Sequence, residues 1–276
     1  MNELHDKVAV ITGAGSGFGR ELALLCAAEG MRLVLADIDM AGLDATQALL
    51  PAGTQVLTQR CDVSSPESVE DLATQTWARF GAAHLLFNNA GVAVAGPTWT
   101  TTRADWQWVL GVNLMGVVHG VQSFVPRMLE QDEPCHVVNT ASVAGLLSVP
   151  ASSVYCVSKH GVVTLSECLH HELRTANAKI GVSVLCPAFV STGIADAARH
   201  RPAELADANP LAAPFEARVR KAVQSGKLTA VDIARATMAA VKADRFYILT
   251  HSNIRPAIEA RMRDILDGRQ PTNPMP

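Results

Sequence analysis

Tyr155 stands four residues before Lys159 in the stretch ASSVYCVSKH (151–160). That spacing brings a phenol and an ammonium to one face of a helix. A tyrosine with its ordinary pKa of about 10 is a poor base at neutral pH. A neighbouring positive charge favours the phenolate, as would the positive ring of an oxidised nicotinamide. The pair can then take a proton from an alcohol as hydride leaves, or return one to a ketone. YxxxK is common on helix surfaces, so its weight depends on what accompanies it.

A second chemical signal lies near the start of the chain. The apolar run KVAVITG (7–13) leads through TGAGSGFG directly into a helical pattern, with Thr12, Gly13, Gly15, Gly17 and Gly19 in the turn. Glycines let the backbone turn sharply and let a pyrophosphate approach the amides of a helix N-terminus, where the helix dipole favours anions. A turn of this kind after the first strand of an alternating α/β chain points to a dinucleotide. A GxxxxGK[ST] loop is absent, because no lysine closes the turn. The second apolar run ends on Asp37, twenty-four residues beyond Gly13. A carboxylate there can accept hydrogen bonds from an adenosine ribose and repels a 2′-phosphate. No Arg or Lys directly follows it, so NAD is expected, with NADP as the alternative. Arg20, the basic residue nearest the turn, reads either as a partner for that phosphate or as a solvated helix residue.

These groups need a frame. Apolar, β-branched runs at 7–13, 32–37, 54–60, 84–91, 136–142 and 181–187 read as strands buried on both faces, with a seventh at 245–250. Helical periodicity follows each of the first six, for example at 19–30 and at 66–80, where Ser64 or Ser65 is placed to cap. The alternation predicts an α/β fold: a doubly wound parallel sheet of about seven strands with helices on both faces. No linker divides the 276 residues, so a single dinucleotide-binding catalytic domain (1–276) is expected. From about 191 to 226 the rhythm fails in an Ala- and Pro-rich stretch, read as a substrate lid. Hydrophobic residues at 49% supply a sizeable core, and a net charge of −3 without a basic block argues against nucleic acid as a partner. With no signal-peptide pattern and no uninterrupted apolar run of ~18 residues, neither secretion nor a membrane partner is expected. Six cysteines without a CxxC pair fit reduced thiols in the cytoplasm.

The motifs together carry a resemblance. TGAGSGFG, Asp37, Asp62-Val63, NNAG at 88–91, Asn113 in GVNLMG, Ser142 in NTASVAG, and Tyr155 with Lys159 occur in the order and separations of the short-chain dehydrogenase/reductase family. The chain resembles that family over about residues 5–192. The resemblance implies a Rossmann fold and a catalytic set of Asn113, Ser142, Tyr155 and Lys159. Tyr155 is then the general acid/base, and Ser142 holds the substrate oxygen. Lys159 depresses the tyrosine pKa and binds nicotinamide-ribose hydroxyls, while Asn113 orients a water that relays protons from Lys159. On the cofactor, Gly13, Ser16, Gly17, Phe18 and Gly19 surround the pyrophosphate. Asp37 and Ile38 serve the adenosine ribose, Asp62 and Val63 approach adenine, and Asn89, Ala90 and Gly91 line the cleft. Pro187, Val190 and Thr192 hold the carboxamide. One departure is Ala188, which stands where the family often has glycine. The helices expected at 103–130 and 152–178 imply a homodimer or homotetramer.

Remaining signals are weaker. His170 and His171 lack acidic or cysteine partners at ligand spacing, so no metal is expected and a helix-surface or interface role is read instead. Trp99, Trp106 and Trp108 read as packing. Apolar residues near Ser142 and in the lid favour a hydrophobic secondary alcohol or its ketone as the small-molecule substrate. The alternatives are an NADP-dependent ketoreductase, including one acting on 3-oxoacyl substrates, and a non-catalytic dinucleotide-sensing protein.

Overall fold

The computed structural model describes residues 1, 3–206, 209 and 211–275. Its strands are β1 Val8–Thr12, β2 Arg32–Asp37, β3 Val56–Arg60, β4 Leu85–Asn88, β5 Cys135–Thr140, β6 Ile180–Leu185 and β7 Tyr247–Ile248. They form one sheet in the order β3-β2-β1-β4-β5-β6-β7, parallel throughout. This is the expected doubly wound sheet. The strand expected at 245–250 shortens to two residues, since at the sheet edge it pairs only with Val184 and Leu185.

The helices are α1 Gly17–Ala28, α2 Met40–Gln47, α3 Pro66–Phe80, α4 Arg103–Leu110, α5 Gly116–Gln131, α6 Ser153–Thr175, α7 Ala213–Gln224, α8 Ala230–Lys242 and α9 Arg255–Leu266. Strand side chains alternate between two cores, as the pleat requires. Ala9, Ile11, Leu33, Leu35 and Phe87 pack beneath α1 and α8. Val8, Val10, Val34, Leu86 and Val137 pack beneath α3, α5 and α6. Ser65, not Ser64, caps α3 by accepting from the Ser68 amide, because Ser64 donates to Asp62 instead.

The helical pattern at 103–130 hides an irregularity. A π-helical turn, Gly111–Met115, joins α4 to α5 and contains Asn113. Such bulges are frequent at functional sites, but an apolar period does not reveal them. The whole run Arg103–Gln131 is long and apolar enough to cross a membrane by length and composition alone, yet more than half of its most apolar window is packed inside the protein.

The expected lid stretch contains residues 207, 208 and 210, which lie outside the described residues. Its described part has short 3₁₀ segments at Gly193–His200 and Ala203–Leu205 and then α7. Two ion pairs tie it down. Arg201 donates to the buried Asp105 of α4 at 2.6 Å, with its guanidinium 5.2 Å from the Trp108 ring centre. Arg220 of α7 pairs with Asp196.

Candidate active site

A cleft of about 790 Å³ opens at the carboxyl ends of the strands. The sheet's strand order reverses between β1 and β4, and ligands of open α/β sheets bind at such a point. Thr12, the last residue of β1, stitches the two sides together. Its hydroxyl accepts from the Asn89 and Ala90 amides at 3.0 and 3.2 Å, and its carbonyl accepts from the Asn89 side chain at 3.0 Å. The NNAG motif is therefore a brace for the cleft floor as well as part of its lining.

At one end stands the glycine-rich turn. Gly13 has φ 68°, and a Cβ there would lie 2.9 Å from the Ala90 Cα, so both conformation and space require glycine. Gly15 is constrained by space alone: its amide donates to Asp37 Oδ2 at 2.8 Å, and a Cβ would meet that oxygen at 2.9 Å. Asp37 Oδ1 accepts from the Asp39 amide at 3.0 Å. Arg20 corrects its reading as a solvated residue: its Nη2 donates to the Gly15 carbonyl at 2.5 Å and its Nε to Thr46 Oγ1 at 3.0 Å. The turn's fold consumes that guanidinium.

Ser16 caps α1 in an extended conformation but accepts no capping hydrogen bond. The first amides of α1 therefore face the cleft without a side-chain acceptor, the arrangement a pyrophosphate satisfies. Ser16, Gly17, Phe18, Asp37, Ile38, Asp62 and Val63 all line this end. Gly19 does not. A Cβ there would fall 2.1 Å from the Gly13 carbonyl oxygen, so Gly19 permits close packing of α1 on the turn.

At the other end, α6 carries Tyr155 and Lys159, and the strand-end loops carry Ser142 and Pro187. All four line the same cleft as Asn89, Ala90, Gly91, Val190 and Thr192. Ser142 Oγ donates to the Pro187 carbonyl at 3.2 Å and accepts from the Ala144 amide. Burial, the largest cause, pushes the Tyr155 phenol up to about 12, against the pull of its hydrogen bond with Ser142. Lys159 is 2% exposed. Burial lowers its ammonium to about 8, and its one hydrogen bond goes to the Thr140 carbonyl at 2.8 Å.

The helix thus pairs phenol and ammonium, but not head to head: Lys159 Nζ lies 5.7 Å from the Tyr155 ring centre. In the protein alone, burial is the largest influence on the phenol and raises it. Gly91 lies against the ammonium: a Cβ there would sit 3.6 Å from Nζ, an ordinary contact.

Asn113 does not line the cleft. Fully buried, its Oδ1 accepts from the Val92 amide at 2.8 Å, and its Nδ2 donates to the Val92 carbonyl and to Ser158 Oγ. Ser158 in turn donates to the Tyr155 carbonyl at 2.7 Å. The Asn113 amide is committed to holding the loop after NNAG and the start of α6, so any part in a proton relay falls to its main chain. Ser158 escaped the sequence reading because a small polar residue inside a helix carries no signal of its own. Ala188 keeps its loop in place, donating from its amide to His251 Nδ1 at 3.3 Å.

Of the tryptophans, Trp108 forms part of the cleft wall, Trp106 donates to Thr101, and Trp99 is 87% exposed. His170 packs its ring 5.0 Å from that of Phe246.

A doubly wound sheet, a glycine-rich turn at its switch point and a Ser-Tyr-Lys set in one cleft define a dinucleotide-dependent oxidoreductase of the short-chain type. Residues 7–203 match the family described as short chain dehydrogenase, and the chain belongs to that family. It is 36% identical to the CLA biosynthesis dehydrogenase/reductase of Lactiplantibacillus plantarum, over 98% of this chain and 97% of that one. It is 31% identical to the C alpha-dehydrogenase of a Sphingobium species, over 98% and 89%. A short-chain dehydrogenase/reductase from Burkholderia phymatum, crystallised in complex with NAD, is 50% identical and superposes over all of both chains with a TM-score of 0.96.

Proposed function

We propose that the protein is an NAD-dependent oxidoreductase interconverting a hydrophobic secondary alcohol and its ketone. The observation that carries this reading is the continuity of the cleft: the glycine-rich turn, Asp37, Ser142, Tyr155 and Lys159 line one space. When bound there, a nicotinamide cofactor supplies the hydride acceptor or donor. Ser142 orients the substrate oxygen, Tyr155 exchanges its proton, and Lys159 holds ribose hydroxyls beside Gly91. The described part of 191–226 acts as a lid. Val94, Trp108, Leu147, Val149, Ile194 and Phe215 supply apolar walls for the substrate. The test is NADH absorbance with a panel of secondary alcohols and ketones; no turnover of any member with either cofactor would sink the reading.

NAD is favoured over NADP because Asp37 and Asp39 line the ribose end and Arg20 is tied elsewhere. A phosphate facing those carboxylates meets like charge, which can cost several kcal/mol. Solvent and salt moderate the effect, so the expected preference for NAD is at least about tenfold in kcat/KM and in affinity. Asp37→Ala should narrow the gap, mainly by admitting NADP, while releasing the Gly15 amide. Fluorescence titration with both cofactors checks this, and equal wild-type affinity for the two would overturn the role of Asp37.

By family likeness, the chain assembles as a homodimer or homotetramer through α5 and α6. Met115 and Val157, 41% and 49% exposed, offer apolar surface for a closed symmetric contact. Light scattering at micromolar concentration should return a multiple of the chain mass, and a monomer would refute the assembly.

A further inference from the structure

The cleft carries its carboxylates and its basic side chains on different segments. Asp37, Asp39 and Asp62 stand at the adenosine end, whereas Arg199, His200 and Arg218 stand on the segment after Thr192. Among the described lining residues after Thr192 there is no carboxylate beside these basic side chains. Neighbouring guanidiniums on the same segment are neutralised, Arg201 by Asp105 and Arg220 by Asp196. Arg199 commits Nη1 to the Gly193 and Asp196 carbonyls. Arg218 lies over the Phe215 ring, 5.8 Å from its centre, and among the described residues no carboxylate pairs with it.

Arg218 also rides the right face of α7. Phe215, Arg218, Val219, Ala222 and Val223 recur at helical spacing and line the cleft, while Arg220 and Lys221 do not. The C-terminal end of α7 is the inner one: Gly226, just past it, packs on the backbone of Phe189 and Val190. Arg218 lies five residues before Val223, about 7–8 Å along the axis toward the mouth. Tyr155 and the apolar wall line the same cleft.

We infer that the substrate is an amphipathic anion: a secondary alcohol or ketone on an apolar body that ends in a carboxylate or phosphate, held at the mouth by Arg218. This rests on the alcohol–ketone reading above. A guanidinium with free donors binds either anion through paired charge-assisted hydrogen bonds. An unopposed positive rim also draws anions toward the cleft from solution. Arg199 folds back on its own segment, over Gly193. Arg218 is the residue that reports on substrate alone.

The test is calorimetric titration of NAD-saturated protein with decanoate, decyl phosphate and methyl decanoate. At least one of the two anions should bind about tenfold or more tightly than the ester, and the better of them identifies the terminus. Arg218→Gln should remove that preference, raised salt should shrink it, and NAD affinity should not change. The inference is overturned if the ester binds as tightly as both anions, if Arg218→Gln retains the preference, or if none of the three binds. Oxidation of a neutral alcohol such as 2-decanol is measured alongside. Its turnover without an anion preference sinks only this inference. Arg218-dependent anion binding in a protein that oxidises no alcohol sinks the alcohol–ketone reading.

Discussion

Tyr155→Phe is expected to lower kcat by about 10²–10⁴-fold, the usual value of a positioned general acid or base, with cofactor affinity near that of the wild type. Ser142, which faces the phenol, keeps its bonds to the Pro187 carbonyl and the Ala144 amide when the phenol is gone. No buried polar group is left without a partner, so stability should change by no more than about 1 kcal/mol. Burial pushes the phenol up to about 12, so in the protein alone Tyr155 is a proton donor at neutral pH, suited to ketone reduction. Alcohol oxidation needs the phenolate and should accelerate toward alkaline pH. Single-turnover kinetics with the variant provide the check. Retention of more than about a tenth of kcat would mean that another group moves the proton.

Lys159→Met should also abolish most turnover, but it should make the protein more stable at pH 7. Burial lowers the ammonium from 10.5 to about 8. Between those values the unfolded chain holds the proton more tightly than the folded one. The native state therefore carries a penalty of roughly 3 kcal/mol below pH 8, relieved as pH rises toward 10. Methionine removes the penalty but leaves the Thr140 carbonyl without its donor, at about 1 kcal/mol. The net gain of about 2 kcal/mol corresponds to a rise in Tm of roughly 4 °C for a chain of this size. Tyr155, raised above its ordinary value, and the buried thiols of Cys26, Cys61, Cys135, Cys156 and Cys186, raised by burial, act in the opposite sense in both proteins, so it is the difference between variant and wild type from pH 8 to 10 that reports on Lys159. Calorimetry of both proteins across that interval should show the variant's advantage shrinking with pH. A lower Tm for the variant at pH 7, or a constant difference, would falsify the account of the buried charge.

What the chain determines locally was legible without coordinates. Long apolar, β-branched runs place β1, β2 and β4 to β6, because a strand buried on both faces admits little else; the edge strand β3, expected buried on both faces, is only half-buried. The four-residue step from Tyr155 to Lys159 places both on one helix face. Gly13 and Gly15 are required by a positive φ and a close carboxylate, constraints that a string of glycines announces. The tertiary structure decided which partner each polar group finds. Asn113 binds Val92 and Ser158, and Arg20 turns from solvent to the Gly15 carbonyl. Lys159 points to the Thr140 carbonyl and the ring face instead of the hydroxyl. Arg201 finds Asp105 across ninety-six residues, whereas Arg218 pairs with no carboxylate among the described residues. Sequence spacing fixes the face on which a side chain emerges. The opposing surface is assembled from distant segments, and only packing determines which hydrogen-bond partners, and how much water, a side chain meets there.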